Sequence, residues 1–259
     1  MNDKESPDNT SLDDFIGGKI SLFQPLNGYR VNTDSILLAA AVDAKKGQRV
    51  LELGCGVGAV LFALMSRIDG LTVVGVEAQK QYARLAIRNA AHNRFKATIL
   101  ECDVSAVPNV YKNSHFDHVV LNPPFFKSAS SMQLMRGDKN FAKRELDFSL
   151  DDWIDVAIRR CSLKGEVVMI HQAERLAQIM KCVEKRLGDI KILPISSFKE
   201  EQAKRILVKG KKGSLSPLKI LAPLVMHENR EPNHSGAKYT NKVEKILRMG
   251  KILDWIKQN

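Results

Sequence analysis

The most restrictive feature of this chain is an apolar run that ends in glycines and passes at once into an apolar helix. Arg49 to Gly54 (RVLELG) leads through Cys55-Gly56-Val57-Gly58 into Ala59 to Arg67. A strand joined to a helix by so short a turn is one half of a βαβ unit, and the alternation continues. Thr72 to Ala78, Ala97 to Asp103, Phe116 to Pro124 and Glu166 to His171 read as strands, and Gln79 to Asn93, Leu150 to Cys161 and Ala173 to Leu187 as helices. Strands and helices alternating at this spacing require right-handed crossovers, hence a mostly parallel sheet with helices on both faces. The link between Asp189–Pro194 and Ala203–Lys209 is too short for a crossover helix, so this last pair is expected to be antiparallel.

The expected fold is therefore α/β, with a Rossmann-like, seven-stranded, mostly parallel sheet whose last strand is antiparallel. An N-terminal extension precedes it. FIGGKISLFQP (Phe15 to Pro25) has a Gly-Gly turn between β-favouring runs and predicts a hairpin, and Asn32 to Val42 predicts a helix capped by Asn32 or Thr33. Residues 1–14 are expected to be a flexible tail, and 15–259 one domain. Within it, 15–45 form the hairpin and helix, 46–210 the core with a long loop over 127–147, and 211–259 a basic C-terminal segment.

Charge and composition narrow the function. The 259 residues hold 40 Lys+Arg against 29 Asp+Glu, a formal charge of +11, which by itself permits DNA, RNA, an acidic membrane or mere solubility. From Lys199 to Asn259 there are 14 basic and 6 acidic residues, and the loop contributes Lys127, Arg136, Lys139, Lys143 and Arg144. The longest apolar stretch, Ile36 to Ala44, is broken by Asp43, so no membrane span is predicted, and MNDKESPDNTSLDD does not resemble a secretion signal. A cytoplasmic address follows as the expectation. Cys55, Cys102, Cys161 and Cys182 form no CxxC pair and the six histidines no ligand pattern, so neither a disulfide framework nor a metal site is predicted.

Three motifs carry chemistry. Gly54, Gly56 and Gly58, between a strand and a helix, let the backbone approach a ligand and leave the helix N-terminus open to polar atoms. Glu77 ends the second strand, where it can accept two ribose hydroxyls, and Asp103 follows the third, where it can meet an adenine edge or cap the next helix. Taken alone, Gly54-x-Gly56-x-x-Ala59 with Glu77 about twenty residues on also fits a nicotinamide dinucleotide. Asn122-Pro123-Pro124-Phe125 is more selective. Its prolines stiffen the backbone and leave carbonyls without matching N–H donors. The Asn122 oxygen and the Pro123 carbonyl can each accept one N–H of a planar amine, while Phe125 stacks on the ring. Two acceptors on one amine favour its pyramidal form and free the lone pair for attack.

ELGCGVG, Glu77, Asp103 and NPPF, in this order, resemble class I S-adenosylmethionine-dependent methyltransferases that act on planar amino groups. FQPLNGYRVNTDSILLAA, AKREL, HQAERL, RILVKGKKGSLSPLKILAPLVMH and a late YT extend the resemblance over nearly the whole chain. They bring it close to the bacterial tRNA(Val) adenine-37 N6-methyltransferase family. The resemblance implies S-adenosylmethionine on Gly54, Gly56 and Gly58, with Glu77 at its ribose, Asp103 at its adenine, and Asp34 and Glu52 near its methionine end. Asn122, Pro123 and Phe125 would hold the target base, with Asn122 also bordering the cofactor. It implies tRNA as partner, gripped by Lys127, Arg136, Lys139, Lys143, Arg144, Lys209, Lys211 and Lys212. Phe125 stands where tyrosine is common, and Phe125-Phe126 occurs too in relatives that methylate guanine N2. Guanine N2 in rRNA, a glutamine amide in protein and, more remotely, nicotinamide chemistry are the alternatives.

Overall fold

In the computed structural model, residues 9–108, 111, 115–124, 148–228 and 238–255 are described. A two-stranded hairpin, β1 (Thr10–Phe15) and β2 (Ile20–Pro25), precedes helix α1 (Thr33–Ala41). Then follow β3 (Arg49–Leu53), α2 (Ala59–Met65), β4 (Thr72–Glu77), α3 (Lys80–His92), β5 (Ala97–Glu101) and β6 (Phe116–Leu121). The second half supplies α4 (Leu150–Arg160), β7 (Cys161–Gln172), α5 (Leu176–Val183), β8 (Leu187–Ser196), β9 (Arg205–Lys212), β10 (Lys219–Ile220), β11 (Leu224–Val225) and α6 (Asn241–Met249).

The main sheet runs β8-β9-β7-β6-β3-β4-β5, with β10 and β11 both on β8. β9 is antiparallel to β7 and to β8, and β3 to β6 pair in parallel. The seven expected strands and the reversed last one are thus present, and the C-terminal segment adds two short strands at the β8 edge. Period-2 alternation divides the core between the two faces. Val50, Val73, Val120, Val168 and Leu207 meet α1, α2, α3 and α6, while Leu51, Leu53, Val74, Val119, Leu121 and Met169 meet α4 and α5.

Three boundaries move. The expected tail over 1–14 is too long, because Thr10 to Asp14 pair with Pro25 to Ser21 in the hairpin. The division at 210 falls inside β9, because the strand continues to Lys212. The last helix, for which the apolar stripe Val243, Ile246, Leu247, Leu253 and Ile256 predicts a span of Asn241 to Lys257, stops at Met249, where Gly250 takes a left-handed C-cap and donates to the Ile246 carbonyl. Beyond it the chain packs back on α1: Leu253 N donates to Ala40 O and the Trp255 indole N–H to Ala41 O, each at 2.8 Å.

The hairpin is seated on the core by two amides one helical turn apart on α3. Asn93 accepts from Ser21 N (3.0 Å) and donates to Ser21 O (2.8 Å); Asn89 accepts from Phe23 N (2.7 Å) and donates to Phe23 O (3.1 Å). Alternate residues of a strand point their backbone groups to the same edge, so the two side chains serve β2 as a neighbouring strand would. Asn89, fully buried, also donates to Val57 O at 3.0 Å, which ties the hairpin to the glycine turn.

Candidate active site

Register alone assembles the site. Leu53, the last residue of β3, pairs with Leu121 of β6 and with Val76 of β4, so Gly54, Asn122 and Glu77 stand in one row at the carboxyl ends of three adjacent strands. Glu77 in turn pairs with Glu101, the last residue of β5, two residues before Asp103. Because neighbouring strands lie about 4.8 Å apart, the row from Asn122 to Asp103 spans roughly 14 Å. Asp34 reaches it from the first turn of α1.

The glycine turn is shaped to receive a ligand. Gly56 has φ +54°, and a Cβ there would meet only the Tyr29 ring, at 4.0 Å; the space around it is otherwise open. Gly54 has φ +69°, and a Cβ there would lie 2.9 Å from the Trp153 ring. The turn is thus covered by two aromatic side chains to which the sequence reading assigned no role. Trp153 is held by the first turn of α4, where Ser149 and Asp152 form a reciprocal capping box. Tyr29 is placed by its own N–H, which donates to the Tyr82 hydroxyl at 2.7 Å, and its phenol lies near Ser35, Asp34 and Glu52. The sequence signal for Tyr29 is the Asn27-Gly28 turn that delivers it directly before α1.

The carboxylates differ in what they already hold. Glu77 accepts from Gly56 N at 2.9 Å and from Gln79 N at 2.8 Å, which fixes its orientation at the turn. Burial raises its pKa, opposed by the N–H groups of Gln79, Gly56 and Ala78. Glu52 is 2% exposed. Burial drives its pKa well above the carboxylate range, partly countered by the Leu61 N–H, with Glu77 adding to the rise. Leu61 lies in the first turn of α2, whose N-cap Gly58 provides no side-chain acceptor, so that turn lies beside the Glu52 carboxyl. Its Oε2 is buried with no partner among the described residues. A buried acceptor of this kind is costly unless a ligand donor completes it. Asp34 pairs with Arg205 at 3.1 Å. Asp103 caps the turn Val104–Ala106, accepting through Oδ1 from Ser105 N at 2.8 Å; this cap does not use its Oδ2, so capping and an adenine contact are compatible.

Two of the expected RNA-binding lysines are committed elsewhere. Lys209 is 6% exposed, lies 3.7 Å from Glu166 and sits over the Trp255 ring. Lys212 donates to Ile158 O and Cys161 O, each at 2.8 Å, neutralising the C-terminus of α4. Lys211 faces Glu166 in register, at the same end. The physical reason is strand direction. β9 runs against its neighbours, so Arg205 stands at the site and Lys209 to Lys212 lie roughly 13–23 Å away toward the opposite end of the sheet. Phe125, Lys127, Arg136, Lys139, Lys143, Arg144 and the rest of the 127–147 loop lie outside the described residues.

The family model for the methyltransferase small domain matches residues 28–145, which contain the glycine turn, Glu77, Asp103 and Asn122. A Porphyromonas gingivalis protein named tRNA1(Val) (adenine(37)-N6)-methyltransferase is 31% identical over 192 residues, covering 69% of this chain and 72% of that one. This chain belongs to that family. A protein of the same name from Actinobacillus pleuropneumoniae is 28% identical over 183 residues, covering 69% of this chain and 75% of the relative. Among solved structures, a predicted O-methyltransferase from Agrobacterium tumefaciens matches with a TM-score of 0.67 at 26% identity, over 85% of this chain and 98% of that one. The Thermus thermophilus 16S rRNA N2 G1207 methyltransferase, solved with AdoMet and guanosine, has the same fold, with a TM-score of 0.55 at 20% identity, over 78% of this chain and 50% of that one. The protein is a class I S-adenosylmethionine-dependent methyltransferase, and the dinucleotide alternative is set aside. Among the described residues no group of His, Cys, Asp and Glu is arranged to hold a metal, and no helix is long and apolar enough to cross a membrane.

Proposed function

We propose that the protein methylates the N6 amino group of an adenine in a tRNA anticodon loop, the purine just 3′ of the anticodon. The observation that carries this reading is the register Leu53↔Leu121, which sets Asn122-Pro123 beside the glycine turn, so an amine held by the first borders a cofactor held by the second. The family relatives named for tRNA adenine-37 support the choice of base and RNA.

The residues fit the cofactor: an open positive-φ turn, an oriented carboxylate at Glu77 and an unpartnered acceptor at Glu52 Oε2. S-adenosylmethionine, when bound, supplies a methyl group activated by a sulfonium sulfur. The turn from Gly54 to Gly58 would lie along it. Glu77 would face the ribose and Glu52 Oε2 the methionine ammonium. Asp103 would face the adenine, and Tyr29 and Trp153 would keep water from the two sides of the turn.

Catalysis by the chain is alignment and electrostatics. Asn122 Oδ1 and Pro123 O accept the two N–H bonds of the target amine, which aims its lone pair at the cofactor side and holds both protons away from the line of attack. Near-attack placement at about 3–3.5 Å supplies much of the rate. Fixed acceptors stabilise positive charge as it develops on the nitrogen. No general base of raised pKa is needed, because the methylated nitrogen sheds a proton readily. The base must leave its stack, which costs least in a single-stranded loop.

The test is transfer from labelled S-adenosylmethionine to unmodified tRNA and, separately, to rRNA and protein, followed by nucleoside identification. N6-methyladenosine in tRNA is expected. Methylguanosine, or label in protein alone, overturns the assignment.

A further inference from the structure

A base held at Asn122 is joined to a backbone whose phosphates run on across the protein, and β9 does not supply the cations for them. Another element does. Residues 78–100 contain Lys80, Arg84, Arg88, Arg94 and Lys96 and no Asp or Glu. Lys80, Arg84 and Arg88 recur every fourth residue of α3 and so share one face, about 6 Å apart along the axis. The opposite face is occupied by Tyr82, Leu85, Ala86 and Asn89, which are buried. Lys80, Arg84, Arg94 and Lys96 are exposed, and among the described residues none of them is in an ion pair. Residues 202–227 are also free of acids, yet Arg205, Lys209 and Lys212 are spent there on Asp34, Glu166 and carbonyls. α3 instead keeps like charges at the spacing where they repel, and its Arg88 lies over the Phe23 ring with its centre 3.6 Å from the centroid.

Position adds to charge. Lys80 follows Glu77 by three residues, and Glu77 stands two strands, roughly 10 Å, from Asn122. Arg84 and Arg88 lie about 6 and 12 Å farther along the helix, leading away from the pocket.

We propose that this face of α3, continued by Arg94 and Lys96, is the track on which the RNA backbone lies when the target base is in the site. The proposal rests on the RNA reading above and gives it a docking surface. A polyanion with regularly spaced phosphates is the partner that neutralises such a stripe, and contacts of this kind position the RNA without reading its sequence.

The experiment compares the wild-type chain with Lys80→Gln/Arg84→Gln/Lys96→Gln and with a control, Lys181→Gln/Lys185→Gln/Lys245→Gln, which removes equal charge elsewhere. An anticodon stem-loop RNA is titrated at 50 and 200 mM salt, and methylation is followed against RNA concentration. Loss of three phosphate contacts on single strands flattens the salt slope by about two, so the affinity lost between these salts shrinks by roughly 20-fold. The α3 variant should show that flattening and an RNA KM raised about tenfold or more, with kcat, cofactor affinity and melting temperature unchanged and the control like wild type. If wild type methylates tRNA and the two variants behave alike, the α3 assignment is overturned and the RNA reading stands. If wild type methylates no RNA, the underlying reading fails and the docking surface falls with it.

Discussion

Asn89 gives the sharpest link between a sequence position and the cofactor site. Asn89→Ala removes, at a fully buried position, the acceptor for Phe23 N and the donor to Phe23 O and Val57 O. Each net hydrogen bond contributes about 1 kcal/mol, and an orphaned buried partner costs about 1–3 kcal/mol. Phe23 is only half-buried, so water can reach part of what is left, and the sum is about 3 kcal/mol. Set against a total stability of about 5–15 kcal/mol, that is a large fraction. At about 2–4 °C per kcal/mol for a chain of this size, the melting temperature should fall by roughly 6–12 °C. Val57 lies between Gly56 and Gly58, so the same change frees the turn and should weaken S-adenosylmethionine about tenfold, or about 1.4 kcal/mol. Asn93→Ala is the internal comparison, because Asn93 holds Ser21 and the Asn89 carbonyl but does not touch the turn. It should cost about 1–2 kcal/mol and leave cofactor affinity within about twofold. Differential scanning fluorimetry and calorimetric titration of the cofactor read both quantities. Equal loss of cofactor affinity in the two variants, or none in Asn89→Ala, would refute the link through Val57.

Asn122→Ala should abolish methyl transfer while S-adenosylmethionine binds within about threefold of wild type; a large loss of cofactor affinity would show that Asn122 serves the cofactor first. Lys209→Met should leave RNA affinity and its salt slope unchanged, as a filter-binding titration reads, and lower stability by about 1–3 kcal/mol because Glu166 keeps a half-buried charge without its cation. His171 is buried, and burial, with Arg175 and Arg205 nearby, lowers its pKa to about 4. The unfolded chain binds that proton near pH 6.5 and the native chain only near 4. Stability from this group is therefore complete above pH 6.5 and lost as pH falls toward 4, by roughly 3 kcal/mol. Urea unfolding of wild type and His171→Gln at pH 7 and pH 4.5 should show a smaller loss on acidification in the variant, and parallel losses would exclude His171 as the source.

Much of the fold was legible because its signals are local. Apolar runs of strand length, a glycine turn and helical stripes such as Tyr82, Leu85 and Ala86 each depend on residues close in the chain, and all recur in the structure with ends shifted by a few residues. The short link before Ala203 foretold the antiparallel pairing of β8 and β9 for the same reason. Tyr29 and Trp153 were missed because a residue's role over the glycine turn depends on what stands opposite it. Tyr29 is set by Tyr82, far along the chain, and Trp153 by an α4 that begins beyond residues 127–147. The full role of Glu52 was hidden likewise, since only tertiary packing brings the first turn of α2 over its carboxyl.

The charge of the chain shows the division most clearly. The sequence alone determined that cations exceed anions and that a glycine turn after one strand and an Asn-Pro-Pro-Phe run after another share one chain. Which cations face outward was decided in three dimensions. The reversal of β9 carries Lys209 and Lys212 to the wrong end and into internal contacts, whereas the fourfold spacing on α3 leaves Lys80 and Arg84 exposed near the site. A count of charges is a property of the string, but the partner each charge meets depends on strand direction and on which face of a helix is buried.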